Sequence, residues 1–391
     1  MRIHSYLLGN EILLYSDVRQ AIYRLNPSAS FMWCCYEEGL ADAQIVAELV
    51  ETFPVDEAQA KHDLATTFDE WRQLGLLGES PESQGIDEYD SDDKDNSGSL
   101  PIDQRNIDTL PECDIACYYR ILDQMVEIRY SDKALLEAAG VALDSLLIDI
   151  ATPCQHHFTV ARTNNGFVIL FGDRMVEHCQ TLDELAPLVL AQVVSSVYLD
   201  TPCLLALHAA AVGKQGQMIV MPAESGSGKS TLTAAMAASG FDYYTDELVL
   251  VAHDTHRLLT AAVGIGIKPG SWAVLNKYYP DLMQYPVHPR PDGKQVRYFA
   301  APITRQTLPE DKNYMRALVF PVYTPGQSAD LSPVSTADAI CRLTAAGYDI
   351  EGGLSREAVE ELIDWTGDQE CYQLLFDDLK EAVTIADGLL A

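Results

Sequence analysis

Residues 218–240 read MIVMPAESGSGKSTLTAAMAASG: an apolar stretch, a run of small residues, and a helical pattern that stops at Gly240. Gly226 and Gly228 allow the backbone to turn its N–H groups inward, and the N-terminus of the following helix adds the positive end of its dipole. Lys229 comes next, with the hydroxyls of Ser230 and Thr231 behind it. Together Glu224, Ser225, Gly226, Ser227, Gly228, Lys229, Ser230 and Thr231 make a pattern suited to cradling nucleotide phosphates. In it Lys229 reaches the terminal phosphates, Ser230 ligates magnesium, and Thr231 lies near the innermost phosphate. The strict form of this pattern starts with glycine, and Ala223, also small, stands there instead.

Candidate partners flank the loop. Asp246 and Glu247 lie 17 and 18 residues after Lys229, just before the apolar run LVLVA, and His208 lies 21 residues before Lys229 in LALHAAAV. Phosphoryl transfer asks for neutralised phosphates, an in-line acceptor and a nearby base. A carboxylate and an imidazole beside a phosphate loop supply the base. Taken alone, a histidine in an apolar strand is ordinarily a core residue.

With His208 to Ala210, Ser225 to Ser230, the stop at Gly240 and the acids at 246 and 247 in one frame, the chain resembles the HPr kinase/phosphorylase family and its wider kinase relatives. The specific part of the resemblance covers residues 203–251. It implies a kinase core using ATP and Mg2+. Asp246, supported by His208, would take the proton from an acceptor hydroxyl, while Ser230 and Glu247 would hold the metal. The Arg- and Asn-rich stretch of that family has no counterpart here; Thr324-Pro325-Gly326-Gln327 occupies a comparable place. Lys268, Lys294 and Arg297 are candidate bases to face the phosphates in its stead.

The N-terminal segment carries three strand patterns, IHSYLL, EILLY and QAIYRL, broken at Gly9-Asn10 and Ser16-Asp17. A helix start at Asn26-Pro27-Ser28 and helical periods over 43–53 and 56–74 follow, closed by Gly75-Leu76-Leu77-Gly78. Through Leu14, Leu25-Asn26, Ser28 to Trp33, Ile45 to Phe53 and Gly75 to Leu77, residues 2–78 resemble the PqqD-like peptide-recognition fold, a small winged helix-turn-helix. That resemblance implies a leader peptide added as a strand to the open edge at 20–25, with the first helix as the other wall of the groove.

Between these two parts, Glu79 to Asp108 holds ten acids and two bases with no apolar period, which predicts a solvated tether. After it, FTVARTNNGFVILFGDRMVEHC alternates strand-like runs with turns at Asn165-Gly166 and Gly172-Asp173, and Thr181 with Glu184 predicts a capped helix running towards Tyr198. Cys154, His156 and His157 lie close in sequence without the spacing of a metal site.

The expected fold class is therefore mixed α/β and α+β in several domains: residues 1–78 PqqD-like, 79–112 linker, 113–200 a lead-in α+β subdomain, and 201–391 the kinase core. Nine unpaired-looking cysteines suggest a reducing compartment, and the net charge of −32 opposes nucleic acid and anionic lipid as partners. With no signal pattern and no run near 18 apolar residues, a cytoplasmic protein is expected. Homo-oligomerisation is left open. The function these features imply is ATP-dependent phosphorylation of a hydroxyl on a captured peptide or protein. The alternative is a non-catalytic ATP-binding regulator or scaffold for peptide modification.

Overall fold

The computed structural model describes residues 3–77, 111–149, 153–253, 255–305, 308, 314–348 and 354–391. Of the expected tether, residues 79–110 lie outside the described residues. By its contacts the chain divides into two units. Met1–Pro101, Ser335–Cys341 and Glu351–Ile363 form one; Ile102–Val334, Arg342–Ile350 and Asp364–Ala391 form the other.

The first unit opens with β1 (Ile3–Leu8), β2 (Glu11–Ser16) and β3 (Ala21–Leu25), an antiparallel meander with β3 at an edge. Three helices follow, α1 (Pro27–Glu37), α2 (Asp42–Thr52) and α3 (Glu57–Gln73). The Asn26 and Asp56 side chains accept from the N–H groups of Ala29 and Gln59, which stabilises the starts of α1 and α3. Ile12 and Leu14 of β2 share a core with Trp33, Ile45, Leu49, Phe68 and Trp71. The expected order of three strands and three helices is present.

A strand in a two-layer meander alternates between a covered and a wet face, yet every residue of β2 is buried. Ile12 and Leu14 face the helices, while Glu11, Leu13 and Tyr15 point to the opposite face. That face is covered by residues from the far end of the sequence. Ser335 donates to Glu11 at 2.5 Å, Arg24 bridges Glu11 at 2.7 Å and Asp338 at 2.6 Å, and the Tyr15 hydroxyl donates to the Leu354 carbonyl. Tyr6 reaches Glu360 at 3.2 Å. The boundary read at residue 78 thus omits the pieces that complete the first unit, and the span read as one kinase core over 201–391 includes them. Contacts across some 320 residues leave no local pattern.

The second unit begins with β4 (Ile115–Ile121), β5 (Gln124–Tyr130), α4 (Lys133–Gly140), β6 (Leu147–Ile148), β7 (His156–Thr163), β8 (Gly166–Phe171) and β9 (Arg174–Cys179). Its first sheet has the order β6-β4-β5-β7-β8-β9. His156 and His157 bond Gln124 at 2.7 Å and Glu127 at 2.8 Å, so both belong to that sheet's own polar contacts. Thr181 and Glu184 close a capping box ahead of α5 (Leu185–Leu199). Leu182–Leu199 corrects one expectation: it is an 18-residue window of mean hydropathy 1.4, long and apolar enough to cross a membrane, and half of it is buried inside the protein. Leu185, Val189, Val193 and Val197 supply that buried face.

The remaining elements are β10 (Leu205–Lys214), β11 (Gln217–Pro222), α6 (Lys229–Ala238), β12 (Asp242–Thr245), β13 (Leu248–Val251), β14 (Leu258–Thr260), β15 (Ile265–Ile267), α7 (Pro269–Leu275), β16 (His288–Pro289), β17 (Gln295–Phe299), β18 (Met315–Tyr323), β19 (Asp330–Pro333), α8 (Thr336–Ala345), α9 (Arg356–Gly367), β20 (Cys371–Phe376) and α10 (Leu379–Leu389). Among the described residues the main sheet runs β14-β13-β10-β11-β18-β20-β19, with β12 also on β10. Its centre, β11-β18-β20, is parallel. Among the described residues, one apolar core joins Ile128, Phe158 and Val193 to Ala206, Leu250, Val263 and Val296, on both sides of residue 200.

Candidate functional site

The loop from Ala223 to Gly228 connects the carboxyl end of β11 to the N-terminus of α6. Gly226 and Gly228 hold φ of +100° and +88°, a region L side chains rarely adopt. Gly228 is also pressed from behind. A Cβ there would lie 3.0 Å from Phe376 Cζ and 3.1 Å from Tyr323 Cβ, so the site admits only glycine without rearrangement. The Ser227 carbonyl accepts from Tyr323 N–H at 3.0 Å, fastening the loop to the end of β18.

Lys229, Ser230 and Asp246 converge inside this turn. Lys229 is 3 % exposed, and its Nζ donates to the Asp246 backbone carbonyl at 2.5 Å and lies 3.4 Å from the Asp246 carboxylate. Ser230 donates to the same carboxylate. Burial raises the Asp246 pKa, opposed by the Lys229 charge and the Ser230 bond. The position of Asp246 follows from the sheet: β12 and β13 both pair with β10, and Asp246-Glu247 are the two-residue break between them, held by Thr245 Oγ1 accepting from Glu247 and Leu248 N–H.

His208 pairs in register with Leu248, which brings its ring to the same corner. Its Nδ1 donates to the Ala223 carbonyl at 3.1 Å, leaving Nε2 as the acceptor. Burial first, and then the Lys229 charge, depress its pKa to about 4, so the ring is neutral near pH 7.

The other residues read from sequence divide. Glu224, Ser225, Gly226, Ser227, Gly228, Lys229, Ser230, Thr231, Asp246 and Glu247 all line one cleft of about 1410 Å³, with His208. Glu247 is placed differently from expectation: its carboxylate accepts from Tyr348 at 3.3 Å, and the acid that meets Ser230 is Asp246. Adjacent residues of a tight turn point to different sides, which spacing alone does not resolve. Thr231 Oγ1 lies 2.5 Å from Ser271 Oγ. Of the three candidate bases, Lys268 reaches Ser225 at 3.2 Å and Lys294 lines the cleft. Arg297 does not; it is buried with its guanidinium 4.4 Å from the Trp272 ring and donates to the Tyr285 carbonyl.

Arg290 takes the place expected of Arg297, lining the cleft near Lys268 and Lys294. Burial, then the charges of Arg290 and Lys294, lower the Lys268 pKa. Asp292, in the same lining, pairs with Arg290 at 3.4 Å and Lys294 at 3.5 Å, so three cations with one carboxylate leave a net positive patch suited to anions. Leu190, Val194 and Tyr198 of α5 add apolar lining to the same cleft. Neither Arg290 nor Tyr348 sits in a motif, so nothing in the sequence marks them.

Among the comparisons with known proteins, residues 11–77 match the family described as Coenzyme PQQ synthesis protein D (PqqD), so that segment is a PqqD-like domain. No curated protein matches the chain.

Proposed function

We propose that this protein binds magnesium-ATP at residues 224–231 and phosphorylates a hydroxyl of a peptide or protein held by its PqqD-like domain. A PqqD-like domain points to peptide recognition or modification. The observation that carries the transfer reaction is the convergence of Lys229, Ser230 and Asp246 at the N-terminus of α6, behind a loop in which Gly226 leaves open space and Gly228 packs on Phe376 and Tyr323.

The residues fit both groups. Loop amides, the helix N-terminus and Lys229 suit phosphate oxygens, and a hydroxyl with carboxylates offers the hard oxygen donors magnesium prefers. Ser230 and Asp246 would hold the ion, with Glu247 next to them; bound there, it neutralises phosphate charge. Lys229 exchanges its Asp246 carbonyl for the terminal phosphates. Asp246 and neutral His208 are the groups able to accept a proton from an incoming hydroxyl, with His208 Nε2 free of the bond that fixes Nδ1. Lys268, which reaches Ser225 of the loop, and Arg290 and Lys294 near it neutralise further phosphate charge. In the first unit, β3 pairs only with β2 among the described residues, which leaves an edge on which an extended peptide can add as a strand.

Calorimetry with a non-hydrolysable ATP analogue and magnesium tests binding, and labelled ATP with candidate leader-bearing peptides tests transfer. Lys229→Ala should abolish tight binding. Asp246→Asn should cut transfer by about a hundredfold or more while affecting affinity less. Binding by the native chain without transfer to any such peptide would favour a non-catalytic regulator. Unaltered affinity in Lys229→Ala would remove the phosphate site.

A further inference from the structure

We infer that Tyr323 and Asp377 form the nucleobase site, with the Tyr323 ring as stacking platform and the Asp377 carboxylate as acceptor for an amino group on the base. This rests on the reading of residues 224–231 as the triphosphate site. The inference starts from topology: β11, β18 and β20 are adjacent and parallel, so their carboxyl ends open on one side of the sheet. Ligands of such sheets lie across those ends. β11 delivers the phosphate loop, β18 ends at Tyr323, and β20 ends at Phe376 with Asp377 next.

Both side chains line the same cleft as the loop. Tyr323 is 48 % exposed, a large apolar face left open at the mouth of a binding cleft. It is nonetheless held in place. Its N–H is bonded to the Ser227 carbonyl, and its ring meets Phe376 edge-on with centroids 5.9 Å apart. The Thr324 N–H bonds the Phe376 carbonyl at 2.8 Å, and Asp377 Oδ2 accepts from Gly326 N–H at 2.8 Å. The Tyr323 hydroxyl reaches Asp377 as well. A carboxylate has about four acceptor positions, so these two bonds leave it able to take donors from a base. Phosphates on the loop, with Lys268, Arg290 and Lys294 elsewhere in the cleft, leave this aromatic and acidic corner as the part suited to a heterocycle. A planar ring over a tyrosine gains stacking, and Asp377 is satisfied by an exocyclic amino group, which adenine and guanine carry and uracil lacks.

The test is binding of ATP, GTP, UTP and inorganic tripolyphosphate to the full chain by calorimetry with magnesium. The native chain should bind ATP or GTP more tightly than tripolyphosphate or UTP. Tyr323→Ala should weaken the purine nucleotide by about tenfold or more and leave tripolyphosphate affinity unchanged; Tyr323→Phe should retain stacking. Asp377→Asn should narrow the preference over UTP. Retained tripolyphosphate affinity shows that the variants are folded. If Tyr323→Ala and Asp377→Asn leave every ratio as in the native chain, the base lies elsewhere while the phosphate site stands. If neither tripolyphosphate nor any nucleotide binds the native chain, the phosphate reading and this inference fall together.

Discussion

Lys229 and Asp246 are both buried, and each lacks the water that would otherwise solvate its charge. Their mutual contact offsets that loss, and the Ser230 hydroxyl adds a third partner. His208 bears the cost of its own burial first, and of the Lys229 charge second. Its folded pKa, about 4, lies below the ordinary 6.5, so the unfolded chain accepts a proton that the folded chain refuses. The resulting penalty is absent above pH 6.5 and grows as pH falls towards 4, reaching about 3 kcal/mol. Asp246 works in the opposite direction: its raised pKa favours the folded state at low pH, a contribution lost as pH rises through its folded value. Urea unfolding of the native chain and of His208→Asn at pH 7.5 and pH 5 separates the two, because Asp246 is common to both. The native chain should lose stability relative to the variant on acidification. Parallel losses would show that His208 titrates normally.

At the scale of the element, the loop owes its form to two glycines that differ in surroundings. An alanine at either position carries backbone strain of about 1–2 kcal/mol. At Gly226 nothing lies within 4 Å of the added methyl, whereas at Gly228 it meets Phe376 and Tyr323. Gly228→Ala should therefore lower the melting temperature more than Gly226→Ala and cost more tripolyphosphate affinity; equal effects would mean that β18 and β20 do not support the loop. The loop and the first three strands were legible because their information is local: Gly226, Gly228 and Lys229 adjoin one another, and Ile12 and Leu14 alternate within five residues of a turn. Spacing alone does not say which of Asp246 and Glu247 faces Ser230, since the two-residue break between β12 and β13 decides which carboxylate turns that way. Arg290, Tyr323 and Asp377 were not legible at all. Each ends or follows a strand far along the chain, β16 in a small separate sheet and β18 and β20 in the main one, and only the pairing of these strands brings them to the cleft.

On the scale of the whole molecule, the first unit depends on segments beyond residue 334. Leu13 measures that dependence. In a two-layer domain its side chain would face water and Leu13→Ala would change little, but it is fully buried, so the substitution should cost about 2–5 kcal/mol in urea unfolding, the same range expected for Leu14→Ala. A value near zero would show that residues 335–341 and 354–363 do not cover β2. The same dependence guides any test of peptide capture: a proline on β3, at whichever of Ile22 and Tyr23 has its N–H on the open edge, disturbs less than removing residues 1–78. It also has a temporal side. On the ribosome, β2 emerges with one face bare, and more than three hundred residues must follow before Leu354 and Glu360 arrive to cover Tyr15 and Tyr6. At ordinary translation speeds that interval is on the order of half a minute. Throughout it the nascent sheet exposes Leu13 and Tyr15 beside an unpaired strand edge, which makes this segment a natural client for chaperones and the place where premature termination would leave an aggregation-prone product.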